Sequence, residues 1–176
     1  RGDQESGPEN TMIAFEGAAR LGFEYIETDV RSTSDGVLVM FHDDNLERVT
    51  NQTGRIDQIT WSRLRRAKVR GIAPIPTLEE VLGDFPDLRF NIEPKSDISV
   101  ELLTKVIHRT AAHHRICIGS FSDRRLRKIR TILPDVCTSM GRLETTKARL
   151  YSIGFPVSSI GADCAQVPVQ WKGIRI

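Results

Sequence analysis

Short apolar runs ending in charged or titratable residues alternate along this chain with segments of helical periodicity, and that alternation limits the folds open to it. Strand-like runs stand at about 24–30, 37–42, 88–93, 115–119, 135–140 and 160–167. Between most of them lie amphipathic stretches: Met12, Phe15 and Ala19; Val100, Leu103 and Ile107; Leu126, Ile129 and Leu133; and a weaker one over about 143–152. Strands alternating with helices argue for a parallel sheet with helices outside it. The chain carries neither a Gly-rich dinucleotide fingerprint nor a phosphate-binding P-loop. Polar residues at the C-terminal ends of several strands are instead the pattern of a TIM-type (β/α)8 barrel. Such a barrel needs eight strands and six are visible, so the expectation is an incomplete barrel, with one strand before Arg1 and one after Ile176.

Local signals place the element ends. Asn10 or Thr11 caps the first helix and Gly22 stops it. Ser34-Asp35-Gly36 is a turn between the first two strands. Thr77 and Glu80 form a capping box that opens a short helix reaching Leu82. Residues 43–76 break the rhythm: they are polar, turn-rich and basic, with one short helix after Thr60. They are expected to form a small inserted subdomain within a single domain covering residues 1–176.

Composition narrows the class. With 39% hydrophobic and 27% charged residues, 176 residues make an ordinary globular domain with a real core. The net charge of +2 says little about partners. No apolar run approaches the ~20 residues of a membrane helix. No signal peptide is visible, which reads as cytoplasmic; a secreted or periplasmic location stays open, because the chain opens at Arg1 without a Met. The basic clusters at 63–70 and 124–130 lack interleaved aromatics and read as solvated helix faces rather than a nucleic-acid surface. Cys117, Cys137 and Cys164 lie far apart in or beside apolar runs. They read as buried reduced thiols, and the lack of a Cys-x-x-Cys pair argues against a thiolate metal site.

The chemistry gathers at three strand ends: Glu27-Thr28-Asp29, His42-Asp43 and Glu93-Pro94-Lys95. Side chains two apart on a strand share a face, so Glu27 pairs with Asp29 and Glu93 with Lys95. A buried carboxylate pair is costly unless a cation or proton compensates it. Glu27, Asp29 and Glu93 offer only oxygen ligands, which suit a hard divalent cation, Mg²⁺ or Ca²⁺. Imidazole is the natural proton-transfer group near neutral pH, which singles out His42.

These residues, together with Arg1-Gly2, Pro8-Glu9-Asn10-Thr11, Asp35-Gly36, Thr53-Gly54 and Ile75-Pro76-Thr77-Leu78-Glu79-Glu80, resemble the glycerophosphodiester phosphodiesterase family in order and spacing. The match is strong over residues 1–95 and looser to about 167. The resemblance implies a barrel of the phosphatidylinositol-phosphodiesterase-like type with a small insertion after the second visible strand. It implies a divalent cation, Mg²⁺ or Ca²⁺, on Glu27, Asp29 and Glu93, and general acid–base catalysis by two histidines. One matches His42; the other is expected immediately before Arg1. Arg1 and Lys95 match positions near the substrate phosphate, and Glu9 a position from which a carboxylate could orient Arg1.

The implied reaction is metal-dependent hydrolysis of a glycerophosphodiester, through a cyclic phosphate, to glycerol 3-phosphate and an alcohol. Two other readings remain. One is a sphingomyelinase or lysophospholipase D-like phosphodiesterase, related to spider-venom toxins that lack the 53–80 insertion. The other is a catalytically inactive barrel used for binding; retention of a repulsive carboxylate cluster weighs against it.

Overall fold

The computed structural model describes residues 1–166 in full and, beyond them, the backbone of two short strands. Helix α1 spans Met12–Arg20, and Thr11 is its N-cap, with the hydroxyl accepting from the Ala14 amide. Leu21 closes the helix, and Gly22 follows in the left-handed region at φ 85°. Strand β1 is Tyr25–Ser32 and β2 is Leu38–Met40. A four-residue helix α2 (Trp61–Leu64) follows Thr60, and a small ladder joins β3 (Lys68–Val69) to β4 (Ala73–Pro74). Helix α3 (Leu78–Asp84) opens on the expected capping box, with Glu80 accepting from the Thr77 amide at 2.8 Å and Thr77 accepting in return from the Glu80 amide. Then come β5 (Arg89–Pro94), α4 (Asp97–Arg109), β6 (Ile116–Ile118), α5 (Asp123–Ile132), β7 (Cys137–Thr138) and α6 (Arg142–Ser152). The last described elements are β8 (Gln170–Trp171) and β9 (Ile174–Arg175).

The principal sheet has the order β2-β1-β5-β6-β7. β1, β5, β6 and β7 run parallel with helices between β5, β6 and β7, as the alternation predicts. β2 departs from the prediction and pairs antiparallel with β1, Val30 opposite Met40 and Ser32 opposite Leu38. The reason is the Ser34-Asp35-Gly36 turn. A tight turn returns the chain antiparallel, whereas a parallel return needs a crossover of a dozen residues or more. The strand expected at 160–167 is also corrected. Its described part makes only a single parallel bridge, Ser139 with Cys164, and residue 167 lies outside the described residues. Pro94, an awkward strand residue, occupies the last position of β5, where it interrupts no further pairing.

The main core lies between the sheet and α1, α3, α4 and α5, and centres on Phe15, Phe90, Ile92, Leu103 and Ile107. Phe15 is fully buried and meets Phe85 and Phe90 edge-to-face, at ring centroid distances of 6.3 and 6.2 Å. Phe15→Ala is expected to destabilise the fold by about 3–5 kcal/mol. Chemical denaturation followed by circular dichroism reads this directly, and a loss below about 1 kcal/mol would show that the site collapses to fill the space. A second cluster, built from Val39, Phe41, Leu46, Ile56, Leu64 and Ile75, is separate from the first and lies mostly within 43–76. Arg115 ties the end of α3 to the start of β6: its guanidinium donates to the carbonyls of Leu82, in the last turn of α3, and of Phe85 and Leu88 beyond it.

Candidate active site

The parallel strands bring the carboxylates to one end of the sheet. In the β1–β5 register Asp29 stands opposite Glu93, and Glu27 opposite Asn91. Glu27 and Asp29 share a face with these partners. Asp29 is only 1% exposed, and its environment is unusual. Lys95 Nζ lies 2.8 Å from one oxygen and Arg1 Nε 3.0 Å from the other, yet neither approach has hydrogen-bonding geometry. Asp29 is therefore a buried carboxylate compensated by two cationic side chains, one at each oxygen, rather than by hydrogen bonds.

From Asp29 the contacts extend both ways. Lys95 also donates to Glu93 Oε2 at 2.6 Å. Burial acts to lower the Lys95 pKa, but the adjacent Asp29 and Glu93 carboxylates outweigh it and hold the ammonium above its ordinary value. On the other side, Arg1 Nη1 reaches Glu9 Oε1 at 3.3 Å. Glu9 accepts from Arg48 Nη2 at 2.7 Å, a bond that pulls its carboxyl below the usual range. Arg48 also pairs with Asp43, and Asp43 lies 2.6 Å from His42 Nδ1. The result is one continuous chain of alternating charge: His42, Asp43, Arg48, Glu9, Arg1, Asp29, Lys95, Glu93. Glu27 touches it through the α-amino group of Arg1, at 3.3 Å.

The loop before α1 is shaped to present Arg1. Gly2 adopts φ 79°, and a Cβ there would fall 2.7 Å from the Ala14 carbonyl carbon, so a side chain is excluded. The Asn10 amide donates to the Arg1 carbonyl at 3.0 Å, and Asn10 Oδ1 accepts from the Thr28 hydroxyl of β1 at 2.9 Å. The Pro-Glu-Asn-Thr segment thus clasps Arg1 to the strand that carries Glu27 and Asp29.

His42 is oriented through its neighbour. Asp43 is pushed down to about 2, first by the Arg48 hydrogen bond, against burial, and then by His42 itself. Ionised near neutral pH, Asp43 accepts from Nδ1, which leaves Nε2 without a protein partner among the described residues. Arg31 secures the same turn by donating to the His42 carbonyl at 2.7 Å and pairing with Asp44.

Glu27 and Glu93 line a cleft with Asn91, Gly119, Ser139 and Gln166, whereas His42 and Asp43 line a second depression with Arg31 and Arg48. Three of these residues carried no sequence signal of their own. Arg48 is one arginine among many in a polar loop, and Asp43 was visible only as the neighbour of His42. Asn91 is a strand residue whose buried Oδ1 has no hydrogen-bond partner among the described residues. The donor type suits a hard cation: oxygens only, with five carboxylates in the network against three cationic side chains and the Arg1 α-amino group, a formal charge of −1, although Glu27, Asp29 and Glu93 do not bring three oxygens within 4.8 Å of one another. The sulfur expectation fared differently. Among the described residues, the set of three potential ligands whose atoms all lie within 4.8 Å of one another is Cys117, Cys137 and Cys164.

The model of the glycerophosphoryl diester phosphodiesterase family matches residues 1–170. The chain belongs to that family. A relative described as probable glycerophosphodiester phosphodiesterase 2 of Mycobacterium tuberculosis is 39% identical over 96% of this chain and 66% of its own length. The glycerophosphodiester phosphodiesterase of Caldanaerobacter subterraneus is 37% identical over 76% of this chain and 61% of its own. The chain thus spans a little under two thirds of the length of these family members. The crystal structure of an Agrobacterium tumefaciens glycerophosphodiester phosphodiesterase superposes with a TM-score of 0.73, at 28% identity, over 80% of this chain and 64% of that one. An Oleispira antarctica phosphodiesterase solved with the product sn-glycerol-3-phosphate has a TM-score of 0.74 at 22% identity, over 86% and 70% of the two chains, and so shares the family fold. The family's TIM-barrel-like architecture agrees with the open parallel sheet and its outer helices. Among the described residues no helix is long and apolar enough to cross a membrane.

Proposed function

We propose that this chain carries the catalytic site of a metal-dependent glycerophosphodiester phosphodiesterase, which releases glycerol 3-phosphate and an alcohol. The observation that carries the reading is Asp29, a buried carboxylate flanked by Lys95 and Arg1 without a hydrogen bond, in register with Glu93 and sharing a face with Glu27. Glu27, Asp29 and Glu93 would hold the divalent cation, Mg²⁺ or Ca²⁺. When bound, it would polarise a phosphoryl oxygen and lower the pKa of a coordinated hydroxyl.

The chain's own residues account for the rest. Arg1 and Lys95 supply fixed positive charge where a phosphodiester gains negative charge. Glu9 holds Arg1 in place while it accepts from Arg48. His42, with Nδ1 committed to Asp43, has Nε2 free to take or give the proton of a substrate oxygen. Residues 43–76 form a small inserted subdomain with its own apolar cluster, and Arg48 from that insertion holds Asp43 against Glu9.

The test is product formation by the full-length protein. With glycerophosphocholine and Mg²⁺ or Ca²⁺, sn-glycerol 3-phosphate should accumulate, and excess chelator should stop it. Hydrolysis of sphingomyelin or lysophosphatidylcholine in place of glycerophosphocholine would support the lysophospholipase D-like reading instead. No turnover of any of the three would leave a binding module.

A further inference from the structure

The three cysteines are 20 or more residues apart in sequence, yet they meet at one point of the fold. Cys117 on β6 and Cys137 on β7 are direct register partners in a parallel pair, so their side chains emerge on the same face. Cys164 arrives on the next segment, which is fastened to β7 by three backbone bonds: Asp163 and Cys164 amides to the Thr138 carbonyl, and the Met140 amide to the Cys164 carbonyl. All three sulfurs lie within 4.8 Å of one another, and Cys117 and Cys164 are 3.6 Å apart.

These spacings discriminate between chemistries. A disulfide requires sulfurs at about 2.05 Å. A tetrahedral zinc site with Zn–S of about 2.3 Å places its sulfurs about 3.8 Å apart. The 3.6 Å between Cys117 and Cys164 is close to the second requirement, the other two pairs lie within 4.8 Å, and no pair is at bonding distance for the first. We propose that Cys117, Cys137 and Cys164 form a site for a thiophilic d¹⁰ cation of the Zn²⁺ class, with three thiolate ligands and one open position.

The site is distinct from the carboxylate centre in place and in chemistry. Cys117 is the register partner of Asn91, which itself stands opposite Glu27, and Gly119 and Ser139, just past the ends of β6 and β7, line the cleft that Glu27 and Glu93 share. The sulfurs therefore lie level with Glu27 in the strand register, on the far side of β5 from it, and no cysteine is among the residues lining that cleft. Oxygen donors on β1 and β5, and sulfur donors on β6, β7 and the segment after α6, sort hard from soft cations. Burial raises the thiol pKa of Cys117 and Cys137, which favours their protonated form in the free site. Binding one divalent ion to three thiols releases three protons and leaves a complex of charge −1.

Cadmium is the direct probe. The reduced, metal-stripped full-length protein, held in excess Mg²⁺ to fill the hard site, is titrated with Cd²⁺. Near-ultraviolet thiolate-to-cadmium charge-transfer absorption should rise to a stoichiometric end point, with proton release, and Zn²⁺ should displace it. Cys137→Ser and Cys164→Ser, each checked for native circular dichroism, should weaken Cd²⁺ binding at least ~10-fold, the lower end of what even outer-sphere partners contribute. Glu27→Gln combined with Glu93→Gln should leave the band unchanged. The proposal is overturned if wild-type protein gives no such band, if the band survives intact in both serine variants, or if thiol counting finds Cys117 and Cys164 already joined as a disulfide. The wild-type titration decides the matter even if a variant fails to fold.

Discussion

Glu93→Gln is expected to lower glycerophosphodiester turnover at least ~10²-fold at saturating Mg²⁺ or Ca²⁺, the scale of removing one preorganised electrostatic group. The substitution keeps the shape of the side chain and removes its charge. Glu93 stands opposite Asp29 in the strand register and shares Lys95 with it. Its loss takes away one of the three proposed ligands and leaves Lys95 to Asp29 alone. Because the Glu93 side chain is 20% exposed, the fold should survive the change, unlike a substitution at the 1%-exposed Asp29. The measurement is kcat against cation concentration, with thermal melting as the control for folding. A variant that turns over normally, with an unaltered cation requirement, would take Glu93 out of the cation site.

His42→Ala should cost a further independent ~10² to 10⁴-fold in kcat, the usual worth of a positioned acid–base group. The argument rests on orientation. Asp43, held near 2 by Arg48, stays ionised throughout the range in which an imidazole titrates, so it acts as a fixed acceptor for Nδ1. The sign follows from this: a depressed carboxyl contributes its stabilisation above its unfolded pKa, near 4, and loses it only as the pH falls toward 2. The turn carrying His42 should therefore keep its geometry across the neutral range, and any limb of the pH–rate profile there belongs to another group. The decisive comparison is the profile of the alanine variant against wild type. Equal rates, or a profile of unchanged shape, would remove His42 from proton transfer.

Much of the fold was legible because its signals are local. The capping box at Thr77 and Glu80, the cap at Thr11 and the helical periodicity around Leu103 and Ile129 each act within one or two turns of chain, and each appears where expected. The antiparallel direction of β2 follows from its short turn and not from the alternation of strands with helices, since no helix stands between β1 and β2. The carboxylates, His42, Arg1 and Lys95 stood out because charge at the end of an apolar run is conspicuous. Arg48 did not, since its partners Glu9 and Asp43 come from different segments and nothing beside it marks it among the other arginines of residues 43–76. The cysteines show the same limit. Spacing in sequence argued against a shared site, and the register of β6 with β7 creates one.

The clasp around Arg1 also bears on the order in which the site assembles. The bond from Thr28 to Asn10 closes a loop of 18 positions, and Arg48 reaches Glu9 across 39. Glu93 and Lys95 join only when β5 docks on β1, a pairing whose Tyr25–Arg89 contact spans 64 positions. Loop-closure entropy grows only logarithmically, so the longest of these closures costs about 1 kcal/mol more than the shortest. The difference lies in timing, because local contacts form ahead of distant ones. The Arg1 half of the network would be in place as a nucleus with α1 and β1, with Asp29 waiting for Lys95 until the sheet extends.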